Sequence, residues 1–248
     1  MDPAVLPRHL DAMTDPAARL NALDWTALLE EVGGRGHAVT PPLLDPADCA
    51  ALAALYDRDD LFRTTVVMAR HGFGEGEYRY FRDPLPAPVQ ALREAGYERL
   101  APLARDWAPL LGFEHPIPDD LDGFRAVCRS AGQERPTPLL LRYGAGGFNC
   151  LHQDIYGAVA FPFQMAFLLD RPGVDFEGGE FVISESRPRQ QSRVEVAPLV
   201  QGAAIIFATR HRPVRGSRGT YRATLKHGVS RIRRGTRHTL GIIFHDAA

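Results

Sequence analysis

The chain has little cysteine, and its three cysteines form no metal-binding pattern. Cys49, Cys128 and Cys150 are widely separated among 248 residues, and no C-x-x-C pair occurs. An odd number of isolated cysteines argues against a disulfide framework and against a zinc cluster. It favours a reducing compartment.

Long apolar runs are also missing. No run approaches 18 residues, and the N-terminal MDPAVLPRHLDAM lacks the apolar segment of a signal peptide. We therefore expect a cytoplasmic protein with no membrane partner. Hydrophobic content of 45% and charged content of 24% are those of an ordinary globular domain, and the length suits one compact unit.

Acidic residues are scarce in one segment, 187–237. There, 12 arginines and Lys226 face only Glu195, so the segment carries +12 and the rest of the chain −13. Such asymmetry indicates either an anionic partner or two parts of the fold that neutralise each other. Phe207 and Tyr221 are the segment's only aromatic residues, which disfavours base stacking on nucleic acid.

Helical signals dominate the first half. Asp15-Pro16 predicts a helix that ends at Gly33-Gly34, because aspartate caps and proline starts a helix while glycine ends it. The same signals predict a helix starting at 45–46. A helical pattern predicts another over about 88–112, broken or kinked at its two prolines, Pro102 and Pro109. Strands are predicted at 64–70 and 78–82.

Short apolar or alternating segments fill the second half. They predict strands at 137–143, 164–170, 179–185, 194–199, 203–209, 222–229 and 237–245. We interpret them as an α+β fold with a mainly β core, a double-stranded β-helix or jelly roll, with an N-terminal helical region. Its predicted parts are a helical region with a short strand pair at 1–125 and the core at 126–248. The segments 144–151 and 210–221 are expected to be loops at the barrel mouth.

His152 and Asp154 form a His-x-Asp pair. About one His-x-acid pair is expected by chance in this composition, and His9-x-Asp11 is a second one. Residues i and i+2 of a strand share a face, so His152 and Asp154 are predicted to point together from the start of a strand. On its own, such a pair is more often a structural hydrogen bond on a turn than a pair of metal ligands.

A third metal ligand is predicted at His227. His211, in an arginine-rich turn, and His245, near the end of the chain, compete with it for this role. Two histidines and one carboxylate on one face of the metal indicate a non-haem Fe(II) oxygenase, because open positions remain for a cosubstrate and O₂. Zinc would favour more histidine or cysteine ligands.

Arg237 follows His227 by ten residues and supplies the charge that a dicarboxylate needs. Fe(II) with this ligand set keeps one positive charge, and 2-oxoglutarate brings two negative ones, so one buried arginine restores neutrality. Thr239, two residues on, and Tyr143 are candidate hydrogen-bond donors. The alternative interpretations are that Arg237 is an ordinary surface arginine and that Tyr143 is an ordinary core tyrosine.

The segments RYGAGGFNCLHQD, GGEFVISE, QGAAIIFAT and HGVSRIRRGTRHTLGIIF, in that order, resemble the core of 2-oxoglutarate/Fe(II)-dependent dioxygenases. Their spacing is most similar to the prolyl-hydroxylase-like branch. The second half also resembles a bacterial family of predicted oxygenases labelled as acting on damaged nucleic acid. The resemblance implies iron ligands at His152, Asp154 and His227, with 2-oxoglutarate held by Arg237, Thr239 and Tyr143.

The activity implied is hydroxylation, or oxidative demethylation, with release of succinate and CO₂ from 2-oxoglutarate and O₂. We expect a small molecule or a protein side chain as substrate. Oxidative dealkylation of damaged nucleic acid is the first alternative, and a non-catalytic cupin-like metal or ligand sensor is the second.

Overall fold

The computed structural model describes residues 15–217 and 219–248, so His9 and Asp11 lie outside the described residues. The helices are α1 (Pro16–Asn21), α2 (Trp25–Arg35), α3 (Pro46–Ala54), α4 (Ala87–Leu111) and α5 (Leu121–Ser130). The strands are β1 (His37–Pro42), β2 (Phe62–Val67), β3 (Gly74–Glu75), β4 (Glu77–Phe81), β5 (Leu139–Tyr143), β6 (Phe148–His152), β7 (Phe163–Leu168), β8 (Phe176–Gly178), β9 (Phe181–Ser186), β10 (Arg193–Ala197), β11 (Ala203–Ala208), β12 (His211–Gly216), β13 (Gly219–Val229), β14 (Ile232–Gly235) and β15 (Arg237–Ile243).

Two antiparallel sheets form the core. The larger sheet has the order β1-β11-β7-β15-β5-β4-β2, and the smaller has the order β10-β9-β13-β6-β3, with β12 paired to β13. The sheets pack face to face, as the rings of Phe181 on β9 and Phe207 on β11 show, with centroids 5.0 Å apart. The predicted jelly roll, with a mainly β core and few helices, is confirmed, and each strand predicted in the second half is present.

Whether a strand residue is buried depends on which faces of its strand are covered by other elements. Every residue of β7 is buried, because helix α4 covers one face and the smaller sheet the other. Phe163 packs on Trp107 of α4, and Gln164, its neighbour in the chain, points towards the opposite sheet. In β13 the alternation is visible: Leu225 and His227 are buried, whereas Lys226 between them is exposed.

The first predicted helix is two helices. Asp15 caps α1 by accepting a hydrogen bond from the Ala18 amide, as predicted, but α1 ends at Asn21. A second cap, Asp24, starts α2 by accepting from the Ala27 amide, and α2 runs through Gly33 to end at Gly36. Gly36 has a φ of 84°, the left-handed conformation in which helices commonly end. A glycine in the sequence, such as Gly33, does not by itself end the helix.

Helix α4 continues through both of its prolines, so of the break or kink expected there, the break is absent. Pro102 and Pro109 both lie on its exposed face, where water can satisfy the carbonyl groups that each proline leaves unbonded. The opposite face is buried on the larger sheet. There the Arg93 guanidinium, which is fully buried, donates to the Ile243 and Phe244 carbonyls and to Asp246 Oδ1 at 2.6 Å.

Both predicted loops at the barrel mouth contain strands, so those two expectations were wrong. Strand β6 occupies the second half of 144–151, and β12 with the start of β13 occupies most of 210–221. These strands were missed because β6 is half exposed without strict alternation, and β12 contains Pro213, which a strand tolerates at an edge. Helix α5 and strand β1 were also missed.

Strands from the first half extend the larger sheet at both edges. Strand β1 pairs with β11 and β4 pairs with β5. Position 125, where the predicted helical region ends, lies within α5. Among the described residues, no helix is both long and apolar enough to cross a bilayer.

Candidate metal and cosubstrate site

His152 and His227 lie directly opposite each other on paired strands. They are register partners of β6 and β13, and their ring centroids are 4.2 Å apart. His152 ends β6 rather than starting a strand, and Asp154 lies in the segment that follows; the expected position in the strand was therefore wrong. The candidate ligand atoms of His152, Asp154 and His227 all lie within 4.8 Å of one another.

The Asp154 carboxylate lies between the two imidazoles. Its Oδ1 is 3.4 Å from His152 Nε2, and its Oδ2 is 3.3 Å from His227 Nε2. Burial by itself would raise the pKa of Asp154, but hydrogen bonding to His152 and His227 outweighs burial and holds it well below the usual value. The carboxylate therefore stays ionised, as a metal ligand must be.

The two histidines have opposite pKa shifts. Burial lowers the pKa of His227, and the neighbouring His152 lowers it further. Burial also opposes charge on His152, but its hydrogen bond with Asp154 and that residue's charge outweigh burial and raise the pKa of His152. His152 Nδ1 lies 2.7 Å from the Cys150 carbonyl, an arrangement that fixes the ring and directs Nε2 towards Asp154.

Two further residues hold the Asp154 carboxylate, and sequence reasoning missed both. Gln164 Nε2 donates to Oδ2 at 2.8 Å, and the Tyr156 hydroxyl donates to Oδ1 at 2.9 Å. Gln164 had a detectable signal, because it is the one polar residue in the apolar strand FQMAFL. Tyr156 had none beyond its proximity to Asp154 in the chain.

Arg237, Thr239 and Tyr143 lie together on two adjacent strands. Arg237 is the register partner of Tyr143, and its Nη1 donates to Thr239 Oγ1 at 2.5 Å. The Tyr143 hydroxyl accepts from Asn149 Nδ2 at 3.3 Å, and burial raises the pKa of Tyr143 to about 12. The Thr239 hydroxyl and the Tyr143 side chain, both neutral, therefore lie beside this guanidinium.

Arg237 is buried without a carboxylate partner. It is only 1% exposed, its Nε has no hydrogen-bond partner, and no ion pair within the described ranges includes it. Burial lowers the pKa of Arg237, since nothing nearby compensates its charge fully. Because an unpaired buried guanidinium is costly, this position fits an anion such as the distal carboxylate of 2-oxoglutarate.

Gly179 has no side chain, and Arg237 occupies the space where one would lie. A Cβ atom at Gly179 would lie 2.9 Å from Arg237 Cδ and 2.2 Å from Ile232 Cδ1, and the residue has a φ of 66°. This close approach gives a physical reason for the second glycine of the GGE segment.

One cavity joins the two groups of residues. Its volume is about 430 Å³, and its wall includes all six predicted site residues. Three exposed apolar side chains line the cavity and give it an apolar rim. They are Phe73, Leu151 and Ile155, which are 44–48% exposed. The cavity therefore combines the polar, charged site residues with largely apolar walls and an apolar approach.

The two histidines that were alternatives to His227 as the third ligand lie outside the three-ligand cluster. His245 is fully buried, its Nδ1 accepts from the Phe161 amide, and burial lowers its pKa to about 4. His211 lies at the start of β12, with Nδ1 3.5 Å from Thr224 Oγ1. Of the described residues, only His152, Asp154 and His227 form a three-ligand cluster.

The jelly roll and a cluster of two histidines and one carboxylate are a fold and a donor set that suit a non-haem oxygenase. Residues 76–247 match the Oxygenase-NA family, which is described as oxygenases catalysing oxidative methylation of damaged DNA. The chain belongs to this family and is an oxidoreductase. The resemblance stated from its motifs is therefore confirmed.

Similar proteins support the family and the fold. An uncharacterised protein of Mycobacterium tuberculosis is 48% identical over 168 residues, which cover 68% of this chain and 72% of that protein. A Pseudomonas putida prolyl-4-hydroxylase structure has a TM-score of 0.50 and 16% identity, covering 90% of this chain and 100% of its own. A Trichoplax adhaerens prolyl hydroxylase, solved with a hypoxia-inducible-factor peptide, has a TM-score of 0.53 and 11% identity, with coverages of 99% and 96%.

Proposed function

We propose that His152, Asp154 and His227 bind the Fe(II) of this oxygenase, and that Arg237, with Thr239 and Tyr143, binds 2-oxoglutarate. One observation carries the proposal: a fully buried arginine without a carboxylate partner shares a cavity with the three-ligand cluster. The donor set fits Fe(II), because two imidazoles and one carboxylate leave positions open for 2-oxoglutarate and O₂.

Bound iron and 2-oxoglutarate supply the oxidation of a C–H bond, with release of succinate and CO₂. The protein's own residues prepare this chemistry. Gln164 and Tyr156 orient the Asp154 carboxylate, Arg237 neutralises the cosubstrate, and the apolar rim excludes water from the cavity. The product is an alcohol or, when the carbon is an N-methyl group, the demethylated amine together with formaldehyde.

Binding and turnover test the assignment separately. The full-length protein should bind Fe(II) and 2-oxoglutarate without O₂, and should release succinate when O₂ and a substrate are added. His152→Ala and His227→Ala should abolish iron-dependent turnover, whereas His115→Ala, a histidine outside the cluster, should retain it. Full succinate production by Asp154→Ala, without an added exogenous ligand, would contradict the ligand set.

The substrate that we favour is a small molecule or a protein side chain. A second candidate, damaged nucleic acid, is supported by the family's description and by the basic segment 187–237. Ion pairs neutralise much of that segment's charge. Glu185 alone pairs with Arg187, Arg193 and Arg212. Turnover of alkylated DNA, with affinity that falls steeply as salt rises, would support the second candidate. A metabolite and peptide library in the same succinate assay tests the first.

A further inference from the structure

A second cavity adjoins the metal cavity. It has a volume of about 130 Å³ and lies between the end of α4 and the β12–β13 ribbon. Asp154 and Ile155 line both cavities, so the segment that carries one proposed iron ligand separates them. The other wall of the second cavity is basic and includes Arg210, His211 and Arg222.

The ribbon brings two of these basic groups together. His211 is the register partner of Thr224, and Pro213 is the partner of Arg222, so His211 and Arg222 are diagonal neighbours on one face. Both are held by neutral groups. Arg222 Nε donates to the Leu110 carbonyl at 3.1 Å, and His211 Nδ1 lies near the Thr224 hydroxyl. The contact with Leu110 orients Arg222 without neutralising its charge.

No acid compensates this cluster. None of the ion pairs found in the described part of the chain involves Arg210, His211 or Arg222, and the only carboxylate in the wall, Asp154, is bound to two histidines. Neighbouring arginines differ in this respect, since most have carboxylate partners. The paired ones are Arg187, Arg193, Arg212, Arg233 and Arg234.

The electrostatics of His211 agree with an uncompensated positive field. Burial lowers the pKa of His211, and the charges of Arg210 and Arg222 lower it further. A cavity of this size holds one small polar group with a few waters, since water occupies about 30 Å³. Two guanidinium groups are suited to the oxygens of a phosphate or a carboxylate.

We propose that this second cavity binds an oxyanionic group, a phosphate or a carboxylate, which the substrate carries beside the carbon that is oxidised. The inference rests on the proposed function, because it places that carbon in the adjoining metal cavity. It adds a second anion site, distinct from Arg237 on β15, and it assigns Arg210 and Arg222 to substrate specificity. A neutral analogue of the substrate would lose this contact.

The test uses full-length protein loaded with 2-oxoglutarate and Zn(II), a diamagnetic replacement for Fe(II), so that Arg237 and the metal ligands are already occupied. Methyl phosphate and acetate are titrated in separate arms, and the imidazole resonances of His211 are followed by NMR. The variant is Arg210→Gln/Arg222→Gln. The control is Arg189→Gln/Arg215→Gln, which removes the same charge from two exposed arginines outside the cavity.

Saturable binding at His211 in the wild type and in the control, weakened at least about tenfold in the cavity variant, would support the proposal. The arm with the tighter binding identifies phosphate or carboxylate as the group. Equal binding in both double variants, or no saturable shift in the wild type, would overturn it. A wild type that fails to load metal and 2-oxoglutarate would instead count against the proposed function, which keeps the two failures distinguishable.

Discussion

Gln164 is hydrogen-bonded to Asp154 at the centre of the candidate metal site. Its Nε2 lies 2.8 Å from Asp154 Oδ2 and 3.4 Å from His227 Nε2, and the residue is 3% exposed. A buried amide in this position limits the rotation of the carboxylate. Gln164 is therefore a positioning residue for the proposed metal ligands.

Replacing Gln164 by leucine should weaken Fe(II) binding about 10- to 100-fold, the usual effect of losing such a partner. Gln201→Leu provides the control, because Gln201 donates only to the Leu169 carbonyl, away from the cluster. Anaerobic Fe(II) titration of both variants measures the difference. An unchanged Fe(II) dissociation constant in folded Gln164→Leu would show that the contact does not orient the ligand.

Arg237→Met should have two opposite effects. Removing an unpaired buried charge should stabilise the protein without 2-oxoglutarate, whereas the 2-oxoglutarate dissociation constant should rise about 100-fold. Arg93→Met is the matched comparison, since Arg93 is equally buried but paired with Asp246. It should destabilise the protein by about 3–5 kcal/mol.

Thermal unfolding and anaerobic 2-oxoglutarate titration measure both quantities. If Arg237→Met proves as destabilising as Arg93→Met while 2-oxoglutarate binding is intact, the arginine is a structural element and not the cosubstrate anchor.

Gly179→Ala should cost more stability than Gly173→Ala. Both residues have positive φ, of 66° and 80°, but a Cβ atom at Gly173 meets nothing within 4 Å. The control therefore shows the backbone cost alone, about 1 kcal/mol, and the difference shows the crowding against Ile232 and Arg237. Urea unfolding of the two variants gives this difference; equal losses would show that Gly179 makes no room for Arg237.

His245 should make stability depend on pH. Burial lowers its pKa to about 4 from 6.5, so the unfolded chain binds the proton first. Stability is therefore complete above pH 6.5 and falls as the pH drops towards 4, by about 2 kcal/mol at pH 5. His245→Gln should reduce the difference in unfolding free energy between neutral pH and pH 5. An unchanged difference would mean that other groups carry the pH dependence.

The sequence predicted the β core and the proposed ligands because both depend on short-range spacing. Strand parity places Arg237 and Thr239 on one face, and alternation in β13 places His227 inside. The predictions of loops at 144–151 and 210–221 failed because the strands found there depend on long-range pairing. β6 is a strand because β13 and β3 bind its backbone, which its own residues do not reveal.

Partners of polar residues were equally hidden from the sequence. Gln164 and Tyr156 lie only ten and two residues from Asp154 in the chain, but composition and spacing do not show that the fold of this segment turns both side chains towards its carboxylate. The prolines of α4 gave the opposite error, because they predicted an interruption that the structure does not show. Their type predicts a break, but their position on the exposed face makes the missing hydrogen bonds tolerable.

Arg93 and Asp246 join the two halves of the chain through a buried ion pair. Strand β15 carries Arg237, and its C-terminal end is held by a helix encoded some 150 residues earlier. A fragment that begins at residue 126 would leave Asp246 as a buried acid without Arg93 and would expose the apolar face under α4. We therefore expect the oxygenase core to need the helical half in order to fold, even though every residue proposed to bind iron or 2-oxoglutarate lies outside that half.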